Sequence, residues 1–195
     1  INRGDKVAFV GKNGEGKSTL VKCIMGEIAD FTGKLQLGHN VKIGYFAQNQ
    51  AQLLDASLTV FDTIDRVAVG DIRTKIRDIL GAFMFGGEAS DKKVKVLSGG
   101  EKMRCMIAKM MLTNANVLLL DSPANHLDLE SIQAFNNTLV AFKGIVLMNS
   151  HDHEIIQTVC NRIIELTPNG MIDKRMDFDD YITSDKIKEQ LNQMY

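Results

Sequence analysis

Eight consecutive residues carry the first recognisable chemistry. Gly11-Lys12-Asn13-Gly14-Glu15-Gly16-Lys17-Ser18 fits the pattern G-x-x-x-x-G-K-[ST] in full. Glycines at these spacings let the backbone curl so that successive N–H groups face inward on an anion. A helix that opens directly after such a loop adds its positive end. Lys17 brings a cation to the β- and γ-phosphates of a nucleotide. The Ser18 hydroxyl is a hard-oxygen ligand for Mg²⁺, whose other positions phosphate and water fill. Gly11, Asn13, Gly14, Gly16 and Thr19 complete the expected phosphate contacts, Thr19 against the α-phosphate. The plainer alternative is a glycine-rich turn with a chance lysine. The context argues against it, because the strand-like run Lys6–Val10 precedes the loop and the helical stretch Ser18–Met25 follows it.

A second candidate is Asp121, the acid that ends the apolar run Val117-Leu118-Leu119-Leu120. In nucleoside-triphosphatases with a phosphate loop, such a run is a central strand and its terminal acid holds Mg²⁺. Alone the signal is weak, since many core strands end in Asp; paired with the loop earlier in the chain it is strong.

Positioning these groups requires strands that alternate with helices, which predicts an α/β fold with a mostly parallel central sheet. Besides Lys6–Val10 and Val117–Leu120, strands are expected at Lys34–Leu37, Val41–Phe46, Ile145–Asn149 and Arg162–Leu166. Helices are expected at Glu101–Leu112, Leu129–Phe142 and His153–Val159, with a final one from Ser184 to Tyr195. Residues 59–85 carry helical spacing, with Ile72, Ile76, Ile79, Leu80 and Phe83 on one face; Gly86-Gly87 and Glu88–Lys95 form the loop that leaves them. This predicts one domain over residues 1–195, with a small helical subdomain at about 51–112 between two sheet-forming regions.

Composition sets the frame. The chain has 195 residues, 45% hydrophobic and 24% charged, with a net charge of -1, so it has no overall basic field for strong nucleic-acid binding. Cys23, Cys105 and Cys160 stand far apart in apolar stretches and are expected as buried thiols of a reducing compartment. Met103, Met106, Met110 and Met111 lie at helical spacing and are expected as core filler. No apolar run is long enough for a membrane span and no signal peptide is evident, which predicts a cytoplasmic protein. The chain opens at Ile1 and enters a strand almost at once, so it reads as an N-terminally truncated piece of a longer protein.

Between these two candidates lies Leu97-Ser98-Gly99-Gly100-Glu101, a short helix-length ahead of Asp121. With the phosphate loop, it resembles the signature of the ATP-binding-cassette (ABC) superfamily. The remaining elements follow in that family's order. Gln48, in Tyr45-Phe46-Ala47-Gln48, is similar to the Q-loop glutamine. Asn125-His126-Leu127-Asp128 is similar to the D-loop, and His151 in Asn149-Ser150-His151-Asp152 to the switch histidine. The resemblance covers nearly the whole chain. It implies that two cassettes pair head to tail around ATP and Mg²⁺, with Ser98, Gly99, Gly100 and Glu101 reaching the other cassette's nucleotide. It further implies Ser18, Gln48 and Asp121 at Mg²⁺, Gln48 near the attacking water, and a His151 hydrogen bond to the γ-phosphate. His39, His126 and His153 are expected as surface or structural residues. Asn125 to Asp128, the continuation Leu129-Glu130-Ser131-Ile132 and the ending Asp177-Phe178-Asp179-Asp180-Tyr181 resemble the ABC-F branch. That branch carries two cassettes in one chain and many of its members act on the ribosome near tRNA. The implied partners are a second ABC domain in the same full-length chain and, through that chain, the ribosome and tRNA. The alternative is the ATPase subunit of a membrane transporter, and a third reading is a regulatory nucleotide-binding module.

One departure bears on chemistry. After Asp121 the family usually has Glu-Pro-Thr, and this chain has Ser122-Pro123-Ala124. A serine hydroxyl holds its proton at neutral pH and cannot act as the general base that the glutamate supplies. The sequence leaves three explanations open: a naturally degenerate site, a water oriented by His151 or Gln48, or a substitution introduced to trap ATP.

Overall fold

The computed structural model describes residues 1–47, 53–123 and 129–195. Its six strands form one sheet in the order β2-β3-β4-β1-β5-β6. They are β1 (Lys6–Val10), β2 (Ile43–Ala47), β3 (Val117–Asp121), β4 (Ile145–Asn149), β5 (Arg162–Thr167) and β6 (Gly170–Lys174). The first five run parallel and β6 is antiparallel to β5. The predicted mostly parallel α/β sheet is therefore present.

The inner strands β1, β3 and β4 are apolar on both faces because both faces are covered. Side chains alternate along β3: Leu118 and Leu120 point into one core with Ala8, Val146 and Met148, and Val117 and Leu119 into another with Val7, Phe9 and Leu147. Helix α1 (Lys17–Ile24) lays Val21 on the second core. The first core is covered by α4 (Gly99–Leu112), α5 (Leu129–Ala141) and α6 (His153–Val159), with α7 (Phe178–Thr183) and α8 (Asp185–Met194) contributing Tyr181 and Ile187. Burying each such aliphatic side chain is worth roughly 1.5–3 kcal/mol, so the central sheet is the rigid part on which a site can be built.

Helices α2 (Val60–Asp65) and α3 (Ile76–Ala82) lie, with α4, between β2 and β3 in the chain. The helical spacing over 59–85 is real on its buried face: Ile76, Leu80 and Phe83 are fully buried, and Ile72 and Ile79 pack against them. The run is nevertheless broken. Gly70 takes a left-handed φ of 58° and opens a 3₁₀ turn over Gly70–Lys75, which divides α2 from α3. The expected loop at 88–95 contains two short 3₁₀ turns and buries Val94. The expected strand Lys34–Leu37 is not formed: among the described residues the segment joins no ladder, and Leu35 and Leu37 are 41% and 50% exposed. Alternation is not enough for a strand without a neighbouring edge to pair with. Cys105 and Cys160 are buried free thiols whose pKa burial pushes up to about 12. Cys23 is only half-buried, because it lies on the flank of α1. Met103, Met106 and Met110 are core residues as expected, with Met111 at the edge.

At the pole where β1 and β5 begin, Asp5 is buried and its carboxylate accepts from Arg162 at 2.8 Å and from Arg175 at 2.8 and 3.1 Å. Arg162 also donates to Asp173 of β6. Ion pairs thus close the pole away from the phosphate loop.

Candidate functional site

The parallel strands end together. In register, Asp121 of β3 faces Asn149 of β4, and Asn149 faces Phe9 of β1. The loops that leave these three strands therefore meet, which is where open parallel sheets place their ligands. A cleft of about 350 Å³ opens there, lined by Asn13, Gly14, Gly16, Lys17, Ser18, Thr19, Ser122, Asn149 and His151. A larger concavity of about 590 Å³, with Arg3, His39 and Lys143 on its walls, lies at the opposite pole by the beginnings of β3 and β4.

The loop's shape follows from its glycines. Gly14 and Gly16 have φ of 93° and 84°, left-handed values that side chains resist. At Gly11, with φ of 128°, any Cβ would collide with the Leu166 carbonyl of β5. The loop is thereby pressed onto the sheet and delivered to α1. Gly16 is the N-cap of α1 and has no side chain to cap it, and the first turn carries no acid. Among the described residues nothing competes for its leading N–H groups and positive end, which suits an anion. Lys17 is 6% exposed and donates from Nζ to the Gly11 and Lys12 carbonyls at 2.7 and 2.8 Å. Burial pushes its ammonium pKa down, while Glu15 and Glu165 push it back up. The outer side of the loop is held by the tail: the Lys12 N–H donates to the Tyr195 hydroxyl at 3.2 Å, and Lys12 Nζ stands 3.7 Å over the ring. The sequence carried no signal for this tail contact.

Facing the loop, Asn149 Nδ2 donates to Asp121 Oδ1 at 2.7 Å and reaches Ser18 Oγ at 3.4 Å. It joins the loop hydroxyl to the strand-end acid. Ser122 follows in a left-handed conformation, φ 53°, fixed by its N–H donating to the Asn149 carbonyl at 2.8 Å. Its hydroxyl is 3.5 Å from Asp121 Oδ1. His151 is exposed at the cleft mouth. The turn that carries it is set by the Asp152 N–H donating to Ser150 Oγ at 3.1 Å and by Asp152 capping α6.

The structure gathers the loop residues with Asp121, Ser122 and His151. It does not gather Ser98, Gly99, Gly100 and Glu101, none of which lines the cleft. They form the start of α4, where Ser98 Oγ accepts from the Glu101 N–H at 3.1 Å and the Ser98 N–H donates to Glu101 Oε2 at 2.8 Å. The backbone N–H of Ser98, helped by Lys92 at 3.2 Å, holds the Glu101 carboxyl below its ordinary pKa against the opposing effect of burial. Gln48, Asn125 and Asp128 lie outside the described residues. Asn149 was missed as a site residue: the sequence shows only an Asn before the Ser-His-Asp string, and strand register alone puts it against Asp121.

For Mg²⁺, the donor set fits. Ser18 and Asp121 offer a hydroxyl and a carboxylate, the hard oxygens that this ion prefers. Among the described residues, no group of three or more His, Cys, Asp or Glu side chains forms a protein-only cage. Phosphate oxygens and water would complete the coordination, as is usual for nucleotide sites.

A family model described as "ABC transporter" matches residues 1–125. The chain is 44% identical over its whole length to an uncharacterized ABC transporter ATP-binding protein, YkpA, of Bacillus subtilis, of which it covers 36%. It is 41% identical over 93% of its length to ABC transporter F family member 2 of Arabidopsis thaliana, of which it covers 27%. The chain thus spans roughly a quarter to a third of these relatives. Among solved structures, the archaeal ribosome recycling factor aABCE1, in complex with the archaeal ribosomal stalk protein aP1, superposes with a TM-score of 0.71 at 27% identity, covering 85% of this chain and 32% of that one. Among the described residues, no helix is long and apolar enough to cross a membrane.

Proposed function

The chain belongs to the ABC transporter family, and on that footing we propose that it is the Mg-ATP-binding cassette of a cytoplasmic, ribosome-associated protein of the ABC-F type, working by ATP-driven closure onto a second cassette. It binds ATP as that family does, and its relatives include F-family members. The observation that carries the proposal is the pairing of the uncapped α1 N-terminus and Lys17 with Asp121, bridged to Ser18 by Asn149. In this reading, the phosphates take the loop N–H groups, and Lys17 Nζ exchanges the Gly11 and Lys12 carbonyls for phosphate oxygens. Ser18 and Asp121 hold the cation, which screens the phosphate charge when bound. His151 is placed at the cleft mouth to donate to the γ-phosphate. Gln48 is assigned to the attacking water, and Asn125 and Asp128 to the contact between cassettes.

The signature residues Ser98 to Glu101 stand apart from their own cleft, which is consistent with use in trans across a cassette pair. The helical part at about 51–112 is taken as the subdomain that presents them. The archaeal relative is, by its description, a ribosome recycling factor, and this supports a ribosomal site of action. With serine at position 122, hydrolysis is expected to be slow.

The test is nucleotide binding by the chain and its Lys17→Ala variant. Charge-assisted hydrogen bonds contribute about 1.5–3 kcal/mol, so the variant should bind Mg-ATP roughly 10- to 150-fold more weakly. Equal affinity in both would sink the assignment of this cleft. For the full-length protein, ATP-dependent co-sedimentation with ribosomes is the expected result. Co-purification with a membrane protein instead would favour a transporter ATPase.

A further inference from the structure

We propose that Asn149 is a positioning residue of the cation site, holding the Asp121 carboxylate and the Ser18 hydroxyl ready for a nucleotide-bound divalent cation. The inference rests on the Mg-ATP reading of the cleft.

Asn149 is 4% exposed and lies on its sheet face between the apolar Phe9 of β1 and the Asp121 carboxylate of β3, with Leu147 next along β4. A leucine or valine would serve packing against Phe9 and Leu147 but would leave Asp121 without a donor from this strand. The orientation of the amide shows which neighbour it serves. Nδ2 donates to Asp121 Oδ1 at 2.7 Å, and Oδ1 is buried with no partner among the described residues. Turning the amide over would lose that bond and set its oxygen against the carboxylate, oxygen to oxygen. The side chain is therefore locked with its donor on the acid, at the expense of an unsatisfied carbonyl that a structural residue would be under pressure to avoid.

The lock acts on both candidate ligands. Asp121 Oδ1 is engaged by this donor, which fixes the carboxylate rotamer, and among the described residues the other oxygen accepts no hydrogen bond. The same Nδ2 lies 3.4 Å from Ser18 Oγ, on the far side of the cleft floor. Mg²⁺ demands near-ideal octahedral geometry, so ligands already held in place lose less freedom on binding. Asn149 thus stands behind the ligands rather than among them. Partners of this kind typically contribute 10- to 100-fold to metal affinity.

The experiment titrates a fluorescent ATP analogue into the 195-residue chain and its Asn149→Leu and Asn149→Val variants, in EDTA and across a range of Mg²⁺ concentrations. Thermal unfolding selects whichever variant keeps the wild-type transition. The expected result is a Mg²⁺ midpoint raised by about 10- to 100-fold, with affinity falling further in Mg²⁺ than in EDTA. Two results would overturn the inference and leave the Mg-ATP reading standing: an unchanged Mg²⁺ midpoint, or an equal loss of affinity with and without Mg²⁺, which marks a structural role. A wild-type protein that binds no nucleotide, or binds it without regard to Mg²⁺, would sink the Mg-ATP reading and the inference with it.

Discussion

Ser122→Glu bears most directly on whether this cassette is built to hydrolyse. The backbone at Ser122 is left-handed and pinned to Asn149, and its side chain lines the cleft beside Lys17, Ser18 and His151. A left-handed conformation costs any residue with a Cβ roughly 1–2 kcal/mol, so serine and glutamate are equally penalised. The hydroxyl lost is 3.5 Å from Asp121, too long to contribute much. The new carboxylate does sit beside that of Asp121, and the repulsion should lower stability in the absence of Mg-ATP by roughly 0.5–2 kcal/mol. Turnover should not stay the same. A carboxylate at this position can accept the proton of the attacking water, and general-base help is worth about 10²–10⁴ in rate. That corresponds to about 2.7–5.5 kcal/mol off the barrier at about 1.36 kcal/mol per tenfold. The assay is phosphate release from Mg-ATP by the chain and the variant, over protein concentrations that span self-association, with Lys17→Ala as the blank. Ser122→Gly is the backbone control: it should raise stability by about 1 kcal/mol through relief of the same φ, without accelerating hydrolysis. Fast turnover by the wild-type chain, unchanged by glutamate, would refute the reasoning and assign the water to another residue.

Two further outcomes follow from the fold. Burial pushes the Asp5 carboxyl pKa up, but hydrogen bonds from the Asn2 N–H, Arg175 and Arg162 outweigh it and hold the pKa below its ordinary value. Its contribution is therefore complete above the unfolded value, about 3.9, and is lost as pH falls through the lower folded value. Asp5→Ala should cost roughly 2–4 kcal/mol near pH 7 in urea unfolding, less than a fully buried pair because Arg162 keeps Asp173. The gap between wild type and variant should narrow as pH drops from about 5 towards 2; a gap independent of pH would contradict the ion-pair account. Ser98→Ala removes the cap of α4 and should cost about 1 kcal/mol, within about 0.5–2, in thermal unfolding. No loss would mean that water replaces the cap completely.

Much of the site could be read along the chain because its chemistry is local. Gly11 to Ser18 are contiguous, and the glycine conformations and the helix opening they demand belong to one loop. Ser98 and Glu101 are three residues apart, the spacing at which a cap closes on itself. Strand runs such as Val117–Asp121 were legible because burial on both faces leaves an unbroken apolar string. The last part of the chain was harder. The hairpin from β5 to β6 turns through Thr167-Pro168-Asn169-Gly170, where Gly170 takes a φ of 132°, and β6 and α7 were not expected. β6 is an edge strand with only Ile172 fully buried, so its hydrophobic pattern is faint. Lys34–Leu37 failed in the opposite sense, an alternation with no partner.

By itself, then, the sequence determined the phosphate loop, the doubly buried strands β1, β3 and β4 with the helices that follow them, and the residue types that could meet a nucleotide and its cation, since each depends on near neighbours. The tertiary structure decided which of them meet. Strand order placed β4 between β1 and β3, so Asn149 lies beside Asp121, 28 residues away, and beside Ser18, 131 residues away. It also brought Tyr195 to the back of the loop and kept the start of α4 out of the cleft. The physical reason is that parallel ladders pair strands far apart in sequence, and no local pattern specifies which strand lies next to which.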